Sequence, residues 1–305
     1  MIEGVDGGSA SIVTQQVLQL KAVTTNVNNP KYSWTIDGKQ VSTESTYAFE
    51  SNEAGSFSIN LTVTNDHGTL EKSVTVVVKV PSFYVINEGQ KNGSVNQYTD
   101  NAWKYDVVAG LGMTSTVGII NNEAMYIVSK NAPFLVKMNL KDNAVISKID
   151  DGLGDNGQGN NFSVVNDKVG VLTTSNGAFK VNLDPLSLGD KLSNMEESNA
   201  GDIFCTENYV FIKSNDVIKV YNTKDLSFKK EIASSIKTGF AQTIDGTLWG
   251  ANENILIAIN TTSLESQNIS LPDNLNVYYN EWAYTPTGLS ASTTENALYF
   301  AQKTG

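Results

Sequence analysis

The residues that could do chemistry in this sequence are few, and their types exclude most catalytic arrangements. The 305-residue chain has one histidine, His67, one cysteine, Cys205, and no arginine. A zinc site built from several cysteines and histidines is therefore excluded, as is a disulfide within the chain. No nucleophile elbow, phosphate-binding glycine loop or pair of catalytic carboxylates is recognisable. Acid–base chemistry would depend on carboxylates, lysines and tyrosines alone, so we predict a protein that is not an enzyme and carries no cofactor.

The side chains best suited to binding are amides and aromatic rings in polar loops. The segments that carry them are "NEGQKNGS", "SKNAPF", "DGLGDNGQGNN" and "LPDNLNVYYNEW". They contribute ten candidate ligand contacts: Asn92, Lys130, Asn131, Asn156, Gln158, Asn160, Asn161, Tyr278, Tyr279 and Trp282. Asn and Gly also occur in loops simply because they form turns, so the same residues have a structural interpretation. Trp282 could equally be a structural plug.

The stretch "DDGLGDNGQG" also has the composition of a calcium loop. It lacks the regular alternation of acidic ligands and the closing glutamate of the strong calcium-binding motif. We therefore predict no metal site.

The charge and hydropathy of the chain limit its partners. The net charge of −11 and the absence of arginine disfavour a phosphate backbone, so we predict no nucleic-acid partner. No apolar run reaches 18 residues, so no transmembrane segment is expected. Residues 1–9 lack the basic start and apolar centre of a signal peptide, and we expect them to be the flexible start of a trimmed mature chain.

Residues 10–80 are predicted to form a β-sandwich of immunoglobulin-like size. In "SFSINLTVTN" and "EKSVTVVVKV" apolar and polar residues alternate with period two, which places one row of each strand in a core. "NDHG" between them and Asp37-Gly38 have the composition of tight turns. We interpret Trp34 and Tyr47 as core residues and His67 as a solvated turn residue.

Residues 81–305 contain a repeat of about 42 residues. A strand rich in aromatic and β-branched residues recurs at "FYVIN", "MYIVS", "VGVLTT", "YVFIKS", "TLWGAN" and "LYFAQ". A less hydrophobic strand, which we call the quiet strand of the repeat, precedes most of them, and two further strands follow. Four antiparallel strands per repeat indicate the blades of a β-propeller, so the predicted fold class is all-β: a sandwich followed by a propeller. Cys205 lies on a quiet inner strand and is interpreted as a small buried hydrophobe.

The repeats do not complete a ring. The first blade, from Phe83, lacks its first strand, four complete blades follow, and a last one begins before Gly305. A seven-bladed ring would need roughly 80 more residues, so we expect the native chain to continue past Gly305.

Two resemblances follow from these segments. Tyr32, Trp34, Asp37-Gly38, Tyr47 and "EAGSFSINLTVTN" resemble the polycystic-kidney-disease (PKD) type domain, which implies a spacer or presentation role outside the cell. From Phe83 onward, the matching motifs are the pattern "INEG…NGS…Y" and the segment "EWAYTPTGLSASTTENALYF". In these motifs the chain resembles Bacteroidetes cell-surface lipoproteins with a YncE-like, surface-layer type propeller. Some members of that family, the BtuG type, bind cobalamin above a TonB-dependent transporter.

The second resemblance implies a non-catalytic binding protein at the outer membrane, anchored through a lipid on a removed N-terminal segment. Its propeller would capture a nutrient such as a corrinoid, whose amides and flat apolar face suit the ten candidate contacts. The alternative is an adhesion or glycan-binding module that uses Tyr and Trp platforms, with the PKD-like domain as spacer.

Overall fold

The computed structural model describes residues 1–25, 27–195, 199–279 and 288–302. Within these ranges every regular element is a β-strand, and the predicted all-β class is confirmed. The chain divides into two compact units. The first comprises Met1–Tyr84 and Gln97–Tyr105, and the second comprises Val85–Asn96 and Asp106–Gly305.

The first unit contains a sandwich of two sheets. The three-stranded sheet has the order β1-β3-β6, with β1 (Ile2–Glu3), β3 (Leu18–Ala22) and β6 (Thr46–Phe49). The five-stranded sheet has the order β2-β8-β7-β4-β5, with β2 (Ser9–Val13), β4 (Lys31–Ile36), β5 (Lys39–Ser42), β7 (Gly55–Asn65) and β8 (Gly68–Lys79). Strand β2 runs parallel to β8, and the other pairs of this sheet are antiparallel.

The alternation in β7 and β8 has the predicted consequence. Ile59, Leu61, Val74, Val76 and Val78 are buried in one core with Trp34 and Phe49. This core confirms the sequence-based interpretation of Trp34. Its indole N–H donates to the carbonyl oxygen of Glu44 at 2.9 Å, so the buried ring leaves no polar atom without a partner.

The second unit is built from consecutive antiparallel blades. The four-stranded sheets are β12 (Ser115–Asn121), β13 (Ala124–Ser129), β14 (Leu135–Asn139) and β15 (Val145–Ile149); β16 (Gly159–Asn166), β17 (Val169–Thr174), β18 (Gly177–Leu183) and β19 (Leu186–Lys191); β20 (Ala200–Cys205), β21 (Tyr209–Ser214), β22 (Val217–Asn222) and β23 (Phe228–Ala233); and β24 (Ala241–Gln242), β25 (Leu248–Asn252), β26 (Ile255–Ile259) and β27 (Ser266–Ser270). Strands β28 (Leu289–Ala291) and β29 (Leu298–Phe300) pair with each other.

A three-stranded sheet precedes these blades, in the order β11-β10-β9, with β9 (Phe83–Asn87), β10 (Gly93–Thr99) and β11 (Ala102–Leu111). Strand β9 occupies the position of a second strand. The N–H of Ser115 at the start of β12 donates to Glu88 O, just after β9, as the N–H of Gly159 at the start of β16 donates to Lys130 O, just after β13. The sheet thus corresponds to a blade that, in the described part of the chain, begins with its second strand.

Successive blades share their cores. One cluster of buried side chains joins the β12–β15 and β16–β19 blades, a second joins β17 to the β20–β23 blade, and a third joins β21 and β22 to the β24–β27 blade. Each blade therefore buries a face that it could not bury alone, which is the stacking expected of repeats.

Strand β24 is shorter than the quiet strand "GFAQTIDG" predicted. The backbone N–H of Phe240, just before β24, donates to the Asp202 carboxylate of the preceding blade, 2.6 Å away. Asp245 holds the following turn by accepting from the Thr243 hydroxyl and the Thr247 N–H. The backbone N–H groups of Phe240 and Thr247, on either side of the short pairing, are thus bonded to side chains instead of to the neighbouring strand.

Candidate ligand-binding site at the inner strands of the blades

The innermost strands of three successive blades line an open cavity. Strands β12, β16 and β20 and the segment before β24 surround a volume of about 490 Å³. The polar residues that line it are Thr116, Asn161, Ser163, Asp202 and Cys205, and the apolar ones include Val117, Ile119, Phe162, Ile203, Phe204 and Phe240. The wall thus presents apolar surface with a few polar groups, the usual composition of a small-molecule pocket.

Asp202 is the buried acid of this wall. One carboxylate oxygen accepts from the Asn161 side-chain amide and the other from the Phe240 N–H, both at 2.6 Å. The side chain therefore connects β16, β20 and the segment before β24. Burial raises the pKa of Asp202 to about 6, although the N–H groups of Phe240 and Ile203, the charge of Lys213 and the Asn161 amide oppose the shift.

Lys213 and Cys205 lie near this acid but are poorly suited to react. Burial lowers the pKa of Lys213, against the raising effect of the Asp202 charge, and its ammonium group donates to the carbonyl oxygen of Lys237 at 3.1 Å. Burial raises the pKa of the half-buried Cys205 thiol to about 11. Because the thiolate is the nucleophilic form, Cys205 is almost fully protonated and unreactive at neutral pH.

A second polar network lies where the inner strands begin. The Lys130 ammonium donates to the Asn160 side-chain oxygen at 2.6 Å, and the Asn160 amide donates to the Ala200 carbonyl oxygen at 2.6 Å and to the Asn199 side chain at 3.0 Å. The network joins residues of three consecutive blades. Burial lowers the pKa of Lys130 to about 8.

The structure brings several predicted contacts to this end of the blades. Lys130 and Asn131 lie in the β13–β14 loop, Asn156 and Gln158 in the β15–β16 segment, which leads into Asn160 at the start of β16, and Asn92 in the β9–β10 loop. Backbone bonds link these loops, from Thr114 N–H to Gly89 O, from Lys130 N–H to Thr114 O and from Gly159 N–H to Lys130 O. We call these three segments the rim.

Within the rim the predicted residues differ in exposure. Asn92, Asn131, Asn156 and Gln158 are exposed, whereas Lys130 is buried, and Asn160 and Asn161 are half-buried. The exposed side chains are available to a ligand, and the buried ones are committed to contacts between blades.

Two of the three aromatic candidates, Tyr278 and Tyr279, lie in described parts of the same unit. The Tyr278 side chain is exposed, and its backbone N–H donates to Ala301 O at 2.7 Å. Tyr279 is half-buried. Trp282, with most of "EWAYTPTG", lies outside the described residues.

Sequence reasoning missed Asp202 and Phe240. The one available signal is an acid between Gly201 and Ile203 at the start of an otherwise apolar quiet strand. Its burial depends on neighbouring blades, which the local pattern does not reveal.

Two features concern metals and membranes. In the described ranges no three His, Cys, Asp or Glu side chains are grouped so that they could hold a metal ion. The same ranges contain no helix of the length and apolarity needed to cross a membrane.

Several solved structures are similar to this chain, and the one with a TM-score above 0.5 supports the fold. A quinonprotein alcohol dehydrogenase-like protein from Bacteroides thetaiotaomicron aligns with a TM-score of 0.52 and 18% identity, over 98% of this chain and 78% of that one. The WD40 β-propeller domain of Doa1 aligns with a TM-score of 0.48 and 9% identity, over 70% and 76%. The extracellular domain of a one-component system from B. thetaiotaomicron aligns with a TM-score of 0.47 and 14% identity, over 75% of this chain and 35% of that one.

Comparison with protein families divides the chain in two. No curated protein matches it. Residues 11–65 match the PKD-like domain. Residues 81–305 match the domain of unknown function DUF5074, which covers most of the sequence, and the chain belongs to that family.

Proposed function

We propose that this chain is a non-catalytic, ligand-binding protein of the cell exterior and that the rim of its propeller holds the ligand. The observation that carries the proposal is the juxtaposition of loops from successive blades. They present the exposed amides of Asn92, Asn131, Asn156 and Gln158 beside inner strands that line an open cavity. Amides supply both hydrogen-bond donors and acceptors, so such a rim suits a ligand rich in neutral polar groups.

The groups at the cavity support binding rather than catalysis. The Cys205 thiol is held in its unreactive form by its raised pKa. Both carboxylate oxygens of Asp202 already accept hydrogen bonds from the protein. A general base needs an acceptor within hydrogen-bond reach of the substrate proton, and a carboxylate engaged in holding blades together is a poor candidate.

The ligand class that we propose is a corrinoid or another nutrient with several peripheral amides. Pockets for drug-sized ligands are about 300–1,000 Å³, so the cavity of about 490 Å³ takes a small molecule or one group of a larger molecule. A large ligand would therefore lie across the rim. We further propose that the protein is lipid-anchored at the outer membrane and delivers the ligand to a TonB-dependent transporter, as its resemblance to surface-exposed propellers suggests.

Calorimetric titration of cyanocobalamin and of cobinamide into the full chain tests this proposal. We expect saturable heat with both, because both share the ring of amides. Replacing two exposed rim residues, Asn131→Ala and Gln158→Ala, should weaken binding by about tenfold or more, as expected when a ligand loses well-placed polar contacts.

Lys141→Ala is the matched control. Lys141 is exposed in the β14–β15 turn, at the opposite end of β14 from the Asn131 loop. The Lys141→Ala variant should bind both corrinoids as tightly as the unmodified protein does. Absence of heat with either corrinoid would remove this ligand class, and equal weakening by the control would remove the rim as the site.

A further inference from the structure

Four aromatic side chains of the first unit contact one another on strands β9, β10 and β11. We call Phe83, Tyr98, Trp103 and Tyr105 the aromatic patch. The Phe83 and Tyr98 rings are stacked with centroids 5.2 Å apart, and Trp103 meets both edge-on at 5.5 and 5.4 Å. The Trp103 and Tyr105 rings are nearly parallel, with centroids 6.2 Å apart. The four rings form a continuous surface although their residues are separated by up to 22 positions in the sequence.

The rings of the aromatic patch are exposed to solvent and are not part of the hydrophobic core of the unit. Phe83 is 46% exposed, Trp103 42% and Tyr105 71%. The core of the same unit is complete without them, since it is formed by other residues around Trp34. Grouped exposed aromatic rings on a folded protein mark an interaction site more often than isolated ones do.

The chemistry of the patch favours a ligand with both apolar faces and hydroxyl groups. Three of its four rings carry a polar atom, the hydroxyls of Tyr98 and Tyr105 and the indole N–H of Trp103, and such side chains suit surfaces that are apolar at one end and wet at the other. The Tyr98 hydroxyl donates to the Asn101 side-chain oxygen at 3.4 Å, which places an amide beside the rings.

The charge around the patch selects further among ligands. Residues 97–105 contain one acid, Asp100, and one base, Lys104. Within these nine residues the two charges balance, so the segment favours neither an anionic nor a cationic polymer.

We propose that the aromatic patch binds a neutral polysaccharide. The C–H faces of pyranose rings pack on the aromatic rings, and the sugar hydroxyls exchange hydrogen bonds with the tyrosine hydroxyls, the indole N–H and Asn101. This site lies in the first unit, on residues that do not belong to the rim, and it does not depend on the ligand of the rim.

Affinity electrophoresis of the full chain in gels containing dextran, mannan, xylan or mixed-linkage β-glucan tests this assignment. We expect retardation in at least one of these gels. Trp103→Ala and Tyr105→Ala should each weaken the interaction by about tenfold, the range found for aromatic anchors at binding surfaces. Trp103→Tyr, which keeps an aromatic face, should retain most of the retardation.

Tyr299→Ala is the matched control, because Tyr299 is a 54% exposed aromatic residue of the second unit. It should migrate as the unmodified protein does in every gel. Free migration in all four polysaccharides overturns the proposal, and so does retardation that Trp103→Ala leaves unchanged. Concentration-dependent dimerisation that Trp103→Ala abolishes, without retardation, would make the patch a contact between copies instead. Corrinoid binding should survive Trp103→Ala, which separates this test from that of the rim.

Discussion

At the scale of single residues, Asp202 should make the stability of the inner strands depend on pH. Its carboxylate connects three blades through Asn161 and Phe240, and burial raises its pKa to about 6. In the unfolded chain an aspartate titrates near 3.8. The folded protein therefore holds this proton more tightly than the unfolded chain does. The resulting stabilisation is complete below pH 3.8 and is lost as the pH rises through about 6.

Asp202→Asn should remove this pH dependence. The amide stays neutral throughout, so the free energy of unfolding of the variant, relative to the unmodified protein, should increase between pH 4 and pH 7. A pKa change from 3.8 to about 6 corresponds to roughly 3 kcal/mol, which is an upper value for the increase. Urea unfolding at pH 4, 5, 6 and 7 measures it.

Asp167→Asn is the control for this measurement, since Asp167 is exposed in the turn after β16. Its stability relative to the unmodified protein should be nearly constant over the same range. If Asp202→Asn instead loses relative stability as the pH rises, the N–H donors around the carboxylate outweigh its burial and the folded pKa lies below 3.8.

At the scale of elements, three inner strands, β12, β16 and β20, each begin with a small residue. Ser115, Gly159 and Ala200 are equivalent positions, each paired with the last residue of the neighbouring strand: Ser129, Thr174 and Ser214. At Gly159 a Cβ atom would lie 2.4 Å from the Ser129 carbonyl oxygen of the preceding blade. The contact is with backbone, so a side-chain rotation does not relieve it.

Gly159→Ala should therefore destabilise the second unit by about 1–3 kcal/mol, the range typical of overpacking. Gly201→Ala is the matched control on the inner strand of the next blade, where the nearest atom to an added Cβ is 3.8 Å away. It should change stability by less than about 0.5 kcal/mol, as for substitutions that meet no close contact. Chemical unfolding of both variants checks the difference, and equal stability of the two would show that the blades separate easily at this point.

The elements were more predictable from the sequence than their contacts. Period-two alternation in "SFSINLTVTN" and the repeated strands after Phe83 depend on local pattern, and both predictions are confirmed. The aromatic patch was not predicted, because Phe83, Tyr98 and Trp103 meet only through the pairing of β9, β10 and β11. The short β24 was also missed, because Phe240 bonds to an acid 38 positions earlier.

The candidate site was predictable to the same degree. The repeat places equivalent loops at equivalent ends of the blades, so the grouping of Lys130 with Asn160 follows from it. Which side chains of those loops are buried depends on the neighbouring blade. Asn160 bonds to Ala200, 40 positions later, and no local feature of "GQGNN" distinguishes it from exposed Gln158.

At the scale of the whole molecule, each unit has a core of its own. The buried cluster around Trp34 contains residues of the first unit alone, and the three clusters that join blades contain residues of the second alone. Units with separate cores are expected to unfold in separate transitions, since two-state behaviour is a property of single domains. A core substitution should then affect one transition.

Trp34→Ala and Phe211→Ala form a reciprocal pair for differential scanning calorimetry. Trp34 and Phe211 are both fully buried, the first in the sandwich and the second between blades. Removing a buried Trp or Phe side chain destabilises a domain by about 3–5 kcal/mol. For a domain of 60–100 residues, 1 kcal/mol shifts Tm by roughly 4–8 °C, so Trp34→Ala should lower the sandwich transition by more than 10 °C or abolish it. The propeller transition should stay in place. Phe211→Ala should lower the propeller transition and leave the sandwich transition unchanged. A single transition that moves with both substitutions would mean that the two units fold as one cooperative body.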